Sequence, residues 1–198
     1  MRPLSSDTPE PDVYLETPRL TLRRLTRDDA EHLFELDSNP EVMRHLPGGI
    51  ADSIDEIIQR VLPRYLSYYE RYEHYGFWAA VERSTGEFLG WFHFRPYRNA
   101  PQETEIGYRF KPSAWGKGYA TEGSRALIRK GFTQLGASKV VADTLAENVR
   151  SRRVMEAIGM HLEEEFVCDA GEFPDRDEPP RGVKYALAKA EWEATTSS

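Results

Sequence analysis

Cys168 is the only cysteine in 198 residues, so no intrachain disulfide can staple this fold and no cysteine pair can grip a metal. The five histidines (His32, His45, His74, His93 and His161) fall at no metal-ligand spacing, and the Gly-x-Ser-x-Gly elbow of a serine hydrolase is missing. No apolar run approaches the ~20 residues of a membrane helix. The opening stretch, Met1 to Pro11, lacks the apolar centre of a signal peptide. Positive charge is also short: 26 Lys and Arg against 33 Asp and Glu leave a net −7, which argues against a phosphate backbone as partner. These absences lead us to expect a cytoplasmic protein with no metal, no nucleic-acid partner and no membrane partner.

Enough remains for a folded enzyme-sized domain. Hydrophobic residues make up 39% and charged residues 30% of the chain, the balance of a globular core with a solvated surface. We expect a flexible leader at 1–11, one domain over 12–192 and a frayed tail at 193–198. Arg19 to Leu25 reads as a strand. Thr26 then caps a helix carrying Ala30, Leu33 and Phe34. Ser53 and Glu56 form a capping-box pattern before a second helical region, which Pro63 should kink or divide. Tyr65, Tyr68, Tyr69 and Tyr72 recur at helical spacing and read mainly as core.

The period then changes. Gly76 to Glu82, Glu87 to Phe94 and Glu103 to Phe110 read as three strands, with Ser84-Thr85-Gly86 as a hairpin turn and a Pro- and Asn-containing loop before the third. A helix over Thr121 to Leu135, a strand over Lys139 to Asp143 and a helix over Asn148 to Ile158 follow. Two last strands, His161 to Cys168 and Gly182 to Ala188, flank the Gly171 to Arg181 loop. The pattern predicts an α/β (α+β) fold: a mixed, mostly antiparallel central sheet flanked by helices.

Ser113 to Thr121 carries the sharpest signal. Gly116 and Gly118 remove side chains where the chain turns into a helix, so main-chain amides and the positive helix end can meet an anion. Lys117 adds a cation. The Walker pattern needs Ser or Thr straight after the lysine, where Gly118 stands, and the dinucleotide fingerprint needs glycine at Thr121. A plain strand-to-helix turn also fits two glycines.

Around this loop, Glu105-Ile106-Gly107-Tyr108, Trp115-Gly116-Lys117-Gly118-Tyr119-Ala120-Thr121-Glu122, Asn148-x-x-Ser151 and Ala157-Ile158-Gly159-Met160 stand in order. Together with Leu15 to Arg23, they resemble the GNAT acetyltransferase superfamily, and within it the ribosomal-protein N-terminal acetyltransferase branch. The resemblance spans about residues 13 to 190 and implies the GNAT fold. It further implies transfer of acetyl from acetyl-CoA, as acyl-donor cosubstrate, to a primary amine of a protein N-terminus or a small molecule, with a homodimer as the assembly to look for.

The resemblance also implies site roles. Tyr108, Arg109, Phe110 and Lys111 supply the strand edge for the pantetheine arm. Gly116, Lys117, Gly118, Tyr119, Ala120 and Thr121 cradle the diphosphate, although Trp115 replaces the family's usual Gln or Arg. Asn148 bonds the pantetheine, and Ser151 supplies a proton to the departing thiolate. Arg150, Arg152 and Arg153 lie toward the 3′-phosphate, with Arg152 in the cofactor-binding set. Locally, Asn148 and Ser151 also read as a helix cap and its partner. Glu105 is the candidate general base, with Glu103 on the same strand face as the alternative and a structural ion pair as the other reading of either. A non-catalytic acyl-CoA-binding regulatory module is the competing function.

Overall fold

The computed structural model describes residues 12–98, 100–173 and 176–196; the expected leader 1–11 lies outside them. The described residues open with a hairpin, β1 (Val13–Glu16) and β2 (Leu20–Arg24), the first strand of which sequence reading did not separate. Helices α1 (Ala30–Asp37) and α2 (Pro40–Met43) follow, then α3 (Ile54–Glu56) and α4 (Leu62–Arg71). Strands β3 (Gly76–Glu82), β4 (Phe88–Tyr97) and β5 (Ala100–Phe110) form the meander. Helix α5 (Tyr119–Gln134), β6 (Lys139–Leu145), α6 (Val149–Ala157), β7 (His161–Val167), β8 (Arg181–Ala188) and α7 (Lys189–Thr196) complete the order. Helix α7 carries regular structure past Glu193, where the sequence suggested fraying.

Three local differences have clear causes. The interruption expected at Pro63 is a π-turn over Ile57–Val61. Proline has no amide hydrogen to complete the ladder, and the turn widens just ahead of it. The helix start near Thr26 is held chiefly by Asp29: its Oδ2 accepts from the Thr26 amide (2.8 Å), and both of its oxygens accept from Arg23 (2.7 and 2.8 Å). The proline-bearing loop after Phe94 is shorter than expected. Strand β4 runs on to Tyr97, with a register shift between Pro96 and Tyr97 that accommodates the residue without a donor.

The strands form one eight-stranded sheet in the order β1-β2-β3-β4-β5-β6-β8-β7, antiparallel at every pairing except β5 with β6. Alternation along the strands sends side chains to opposite faces and builds two cores. On one face Trp78, Phe92, Phe94 and Ile106 meet Leu127, Ile128 and Phe132 of α5 and Met155 of α6. On the other, Phe77, Ala79 and Trp91 meet Leu33 and Leu36 of α1 and Tyr65 of α4, whose ring stacks on Phe77 at 3.8 Å between centroids. Tyr65 is therefore core, with Tyr68 and Tyr69 packed half-buried beside the two cores.

Helix α5 sits hard against the sheet because Gly123 offers no side chain. A Cβ there would lie 2.3 Å from the buried Phe92 ring. Gly123→Ala is expected to destabilise the protein by about 1–3 kcal/mol through overpacking, despite alanine's better helix propensity, as a lower urea midpoint at unchanged slope.

Candidate active site

The sheet comes apart in its middle. Strands β5 and β6 run parallel and pair only at Thr104↔Val140 and Glu105↔Val141. Beyond those pairs β5 stays with β4 as far as Phe110, and β6 stays with β8 as far as Leu145. The amide of Lys111 donates to Leu89 O (2.9 Å), which sets the phase of the β4–β5 ladder. By alternation, odd-numbered residues of β5 bond to β4, and Ile106, Tyr108 and Phe110 turn their main-chain groups into the gap. Of the four expected edge residues, Tyr108 and Phe110 therefore face it. Arg109 and Lys111 do not: their side chains pair with Asp37 and Glu35 of α1 (Lys111 Nζ–Glu35 Oε2, 2.6 Å).

The edge runs into the glycine loop. The Trp115 indole donates to Phe110 O (2.9 Å) and closes that carbonyl, so Trp115 braces the turn. Gly116 and Gly118 take φ of +72° and +82°, a left-handed conformation that favours glycine and aligns successive amides. The first amide of α5 to find a carbonyl is Glu122, at Gly118 O (2.9 Å). Those of Tyr119, Ala120 and Thr121 have no partner among the described residues and stand open at the positive helix end.

A carboxylate in that first turn would repel an anion, but Glu122 is neutralised. Its Oε2 pairs with Arg19 Nε (2.6 Å), and its Oε1 accepts from Thr17 Oγ1 (2.6 Å) and the Arg19 amide (2.9 Å). Arg19 also donates to Lys117 O (2.9 Å). The Thr17-Pro18-Arg19 segment is thus a clamp on the loop, which explains why two segments so far apart in sequence belong to one pattern. The residues fit a diphosphate group, with open amides, two glycines and balanced charge.

Across the gap, Asn148 caps α6. Its Oδ1 accepts from Ser151 N (3.2 Å) and its amide donates to Thr144 Oγ1 (3.0 Å). Ser151 Oγ lies 3.1 Å from the Tyr108 hydroxyl. Burial outweighs that hydrogen bond and pushes the Tyr108 phenol up to about 12, so it stays a proton-bearing group at neutral pH. Arg152 faces away from the loop: Nε donates to Tyr185 Oη (3.1 Å) and Nη1 to Ala146 O (3.0 Å), tying α6 to β8. Arg150, two residues back and so on another side of the helix, lies over the Trp115 ring at 4.7 Å. That contact places Arg150 beside the glycine loop.

The carboxylates occupy the opposite face of the sheet from Ser151. Glu105 is held by Arg95 (3.0 Å) and lies 3.3 Å from His93 Nε2, off the line of a hydrogen bond. Burial alone would raise this carboxyl; His93 and then Arg95 beside it prevail and hold it at about 2. Burial in turn lowers His93, and Arg95 is the permanent cation beside Glu105. A carboxylate so firmly ionised is a weak proton acceptor. Glu103 is bound in a network with Lys139 (3.0 Å) and Lys184 (2.9 Å), which outweighs its burial and lowers it too.

Sequence reading missed a third acid here. Asp143 lies on β6, two residues past the last β5–β6 pair and on the face of Glu105, and burial raises its pKa. Its Oδ2 accepts from Tyr97 Oη (2.9 Å), and its Oδ1 has no partner among the described residues. The available signal was an acid at an alternate position of an apolar strand.

Comparison with known proteins identifies the family. Residues 19–161 match the family model for the acetyltransferase (GNAT) domain. The "FsC-acetyl coenzyme A-N(2)-transacetylase" of Aspergillus fumigatus is 33% identical over 190 residues, which cover 90% of this chain and 77% of that one. A spermidine N-acetyltransferase from Vibrio cholerae, solved with CoA and spermine, superposes with a TM-score of 0.73 at 18% identity, covering 89% of this chain and 99% of its own, and so shares the fold. A candidate ribosomal-protein-serine acetyltransferase from the same organism also has a TM-score of 0.73, at 22% identity, covering 90% of this chain and 98% of that one. The chain belongs to the GNAT family of acetyltransferases and is an N-acetyltransferase. Among the described residues no helix is long and apolar enough to cross a membrane.

Glu105→Gln would leave Arg95 buried without its anion, and a loss of about 3 kcal/mol is expected in urea unfolding. The depressed pKa fixes the sign of the pH effect. Stability from Glu105 is fully present above its usual 4.5 and is lost as pH falls through about 2, so the variant should lose that acid dependence.

Proposed function

We propose that this protein transfers the acetyl group of acetyl-CoA to a primary amine, either the α-amine of a protein N-terminus or a small-molecule amine. One observation carries the reading: the unpaired edge of β5 leads straight to a helix start whose amides are open. The cosubstrate supplies an activated acyl thioester. Tyr108 and the amide of Phe110 would offer main-chain groups to its amide-bearing arm, and Gly116 to Thr121, with Lys117, would hold its diphosphate. Arg150 rather than Arg152 would meet a further phosphate, and Asn148 would serve first as the cap that sets Ser151 in place. Ser151, coupled to the Tyr108 hydroxyl, would return a proton to the leaving sulfur.

The acceptor must lose a proton before it attacks. An alkylamine titrates near 10.4 and an α-amine near 7.7 to 8.0, so the former needs more help. Amine chemistry is supported by the N(2)-transacetylase relative and by the spermine-bound neighbour. Release of free thiol from acetyl-CoA across a panel of polyamines, amino acids and peptides tests the proposal. Binding heat with acetyl-CoA but no acceptor-dependent thiol would leave the regulatory module instead.

Gly118→Val places a branched side chain at φ +82° and should strain the cradle by about 1–2 kcal/mol. The expected result is a rise of about tenfold or more in the Kd for CoA by calorimetry, with an unchanged circular dichroism spectrum.

A further inference from the structure

We propose that Asp143, just past the point where β5 and β6 part, accepts the proton of the attacking amine, with Tyr97 as its positioning residue. The proposal rests on the N-acetyltransferase reading above and assigns the base within it.

Position is the first argument. Glu105 pairs with Val141, and Asp143 is the next residue of β6 on that face, about 7 Å further along the opening gap. Glu105 sits at the closed end of the fork and Asp143 within it. The hydroxyl pair of Ser151 and Tyr108 belongs to the other face, with α5 and α6. A group lodged between the parted strands would have a carboxylate on one side and hydroxyls on the other, as an attacking amine and a departing sulfur require.

Bonding is the second. The oxygen Oδ2 takes the Tyr97 hydroxyl, which fixes the carboxylate plane, while Oδ1 is shielded from bulk water and has no protein donor among the described residues. A buried acceptor left open is costly, and a donor from outside the chain would satisfy it. Glu105 and Glu103 have no such freedom, since both are tied to cations.

Surroundings are the third. Tyr97 and Arg98 face Asp143 from the end of β4, Glu105 from β5, Lys184 from β8 and Cys168 from beyond β7. Burial, followed by the Glu105 charge, raises the Asp143 carboxyl; the Tyr97 hydrogen bond, Arg98 and Lys184 work the other way. The net rise brings it nearer to the working range of a base.

The step balances. An ammonium acceptor gives one proton to Asp143 Oδ1, directly or through one water, and the freed lone pair forms the C–N bond. The C–S bond breaks with its electron pair going to sulfur. A second proton from the nitrogen reaches that sulfur through the Ser151–Tyr108 hydroxyls, and Asp143 releases its own proton to solvent.

The test is pH–rate profiles of the full chain with acetyl-CoA and the amine panel. Asp143→Asn should lower kcat about a hundredfold and flatten the acid limb, with CoA affinity within twofold of the parent. Tyr97→Phe should stay active but move the acid limb to higher pH, because it removes a bond that favours the ionised carboxylate. An Asp143→Asn variant with parental turnover and an intact acid limb would overturn the assignment, as would a Tyr97→Phe limb that does not move. Carboxyl 13C NMR gives a readout independent of the acceptor: the resonance lost in Asp143→Asn should titrate above the ordinary 3.8, and a value at or below it sinks the proposal. Failure of the enzyme reading would show separately, as a wild-type protein that binds CoA and acetylates no amine.

Discussion

The separation of β5 from β6 after the Glu105↔Val141 pair is the constraint on which the rest of this molecule depends. Two strands that stop pairing expose amide and carbonyl groups in the middle of a sheet, where an unpaired group is normally costly. The cost is contained because each strand keeps its other neighbour, β4 for β5 and β8 for β6. The Trp115 indole closes one carbonyl at the far end, and the Tyr108–Ser151 contact spans the opening. The groups left over are those a ligand with its own amides can satisfy.

The gap also sorts charge. On the face shared with α1 and α4 the polar side chains are mostly joined in ion pairs: Glu105 with Arg95, Asp37 with Arg109, Glu35 with Lys111. On the other face the groups near the gap are neutral hydroxyls and an asparagine cap. At the loop, Arg19 offsets Glu122, so the helix start keeps its preference for an anion. Asp143 is the acid at the fork that this pairing leaves half-satisfied.

Much of this was legible in the sequence. The meander, the helix–strand–helix order and the glycine loop follow from local chemistry, and the family resemblance came from motifs in the right order along the chain. Other parts needed contacts between distant segments. Thr17 and Arg19 reach Glu122 across more than a hundred residues. Arg150 and Arg152 look equivalent in sequence, and helical rotation sends one to Trp115 and the other to Tyr185. Glu105 has the alternation of a site residue, but Arg95 and His93 on β4 decide its ionisation.

By itself the sequence determined the mixed sheet, the glycine turn at Gly116 and Gly118 and the resemblance to an acetyl-transferring family, because periodicity, glycine turns and short motifs are local properties. Only the tertiary structure decided which residues of β5 face the gap, which arginine borders the loop and which acid keeps an open oxygen. Those depend on strand phase, helix rotation and the cations brought from other strands, and such relations exist only once the chain has folded.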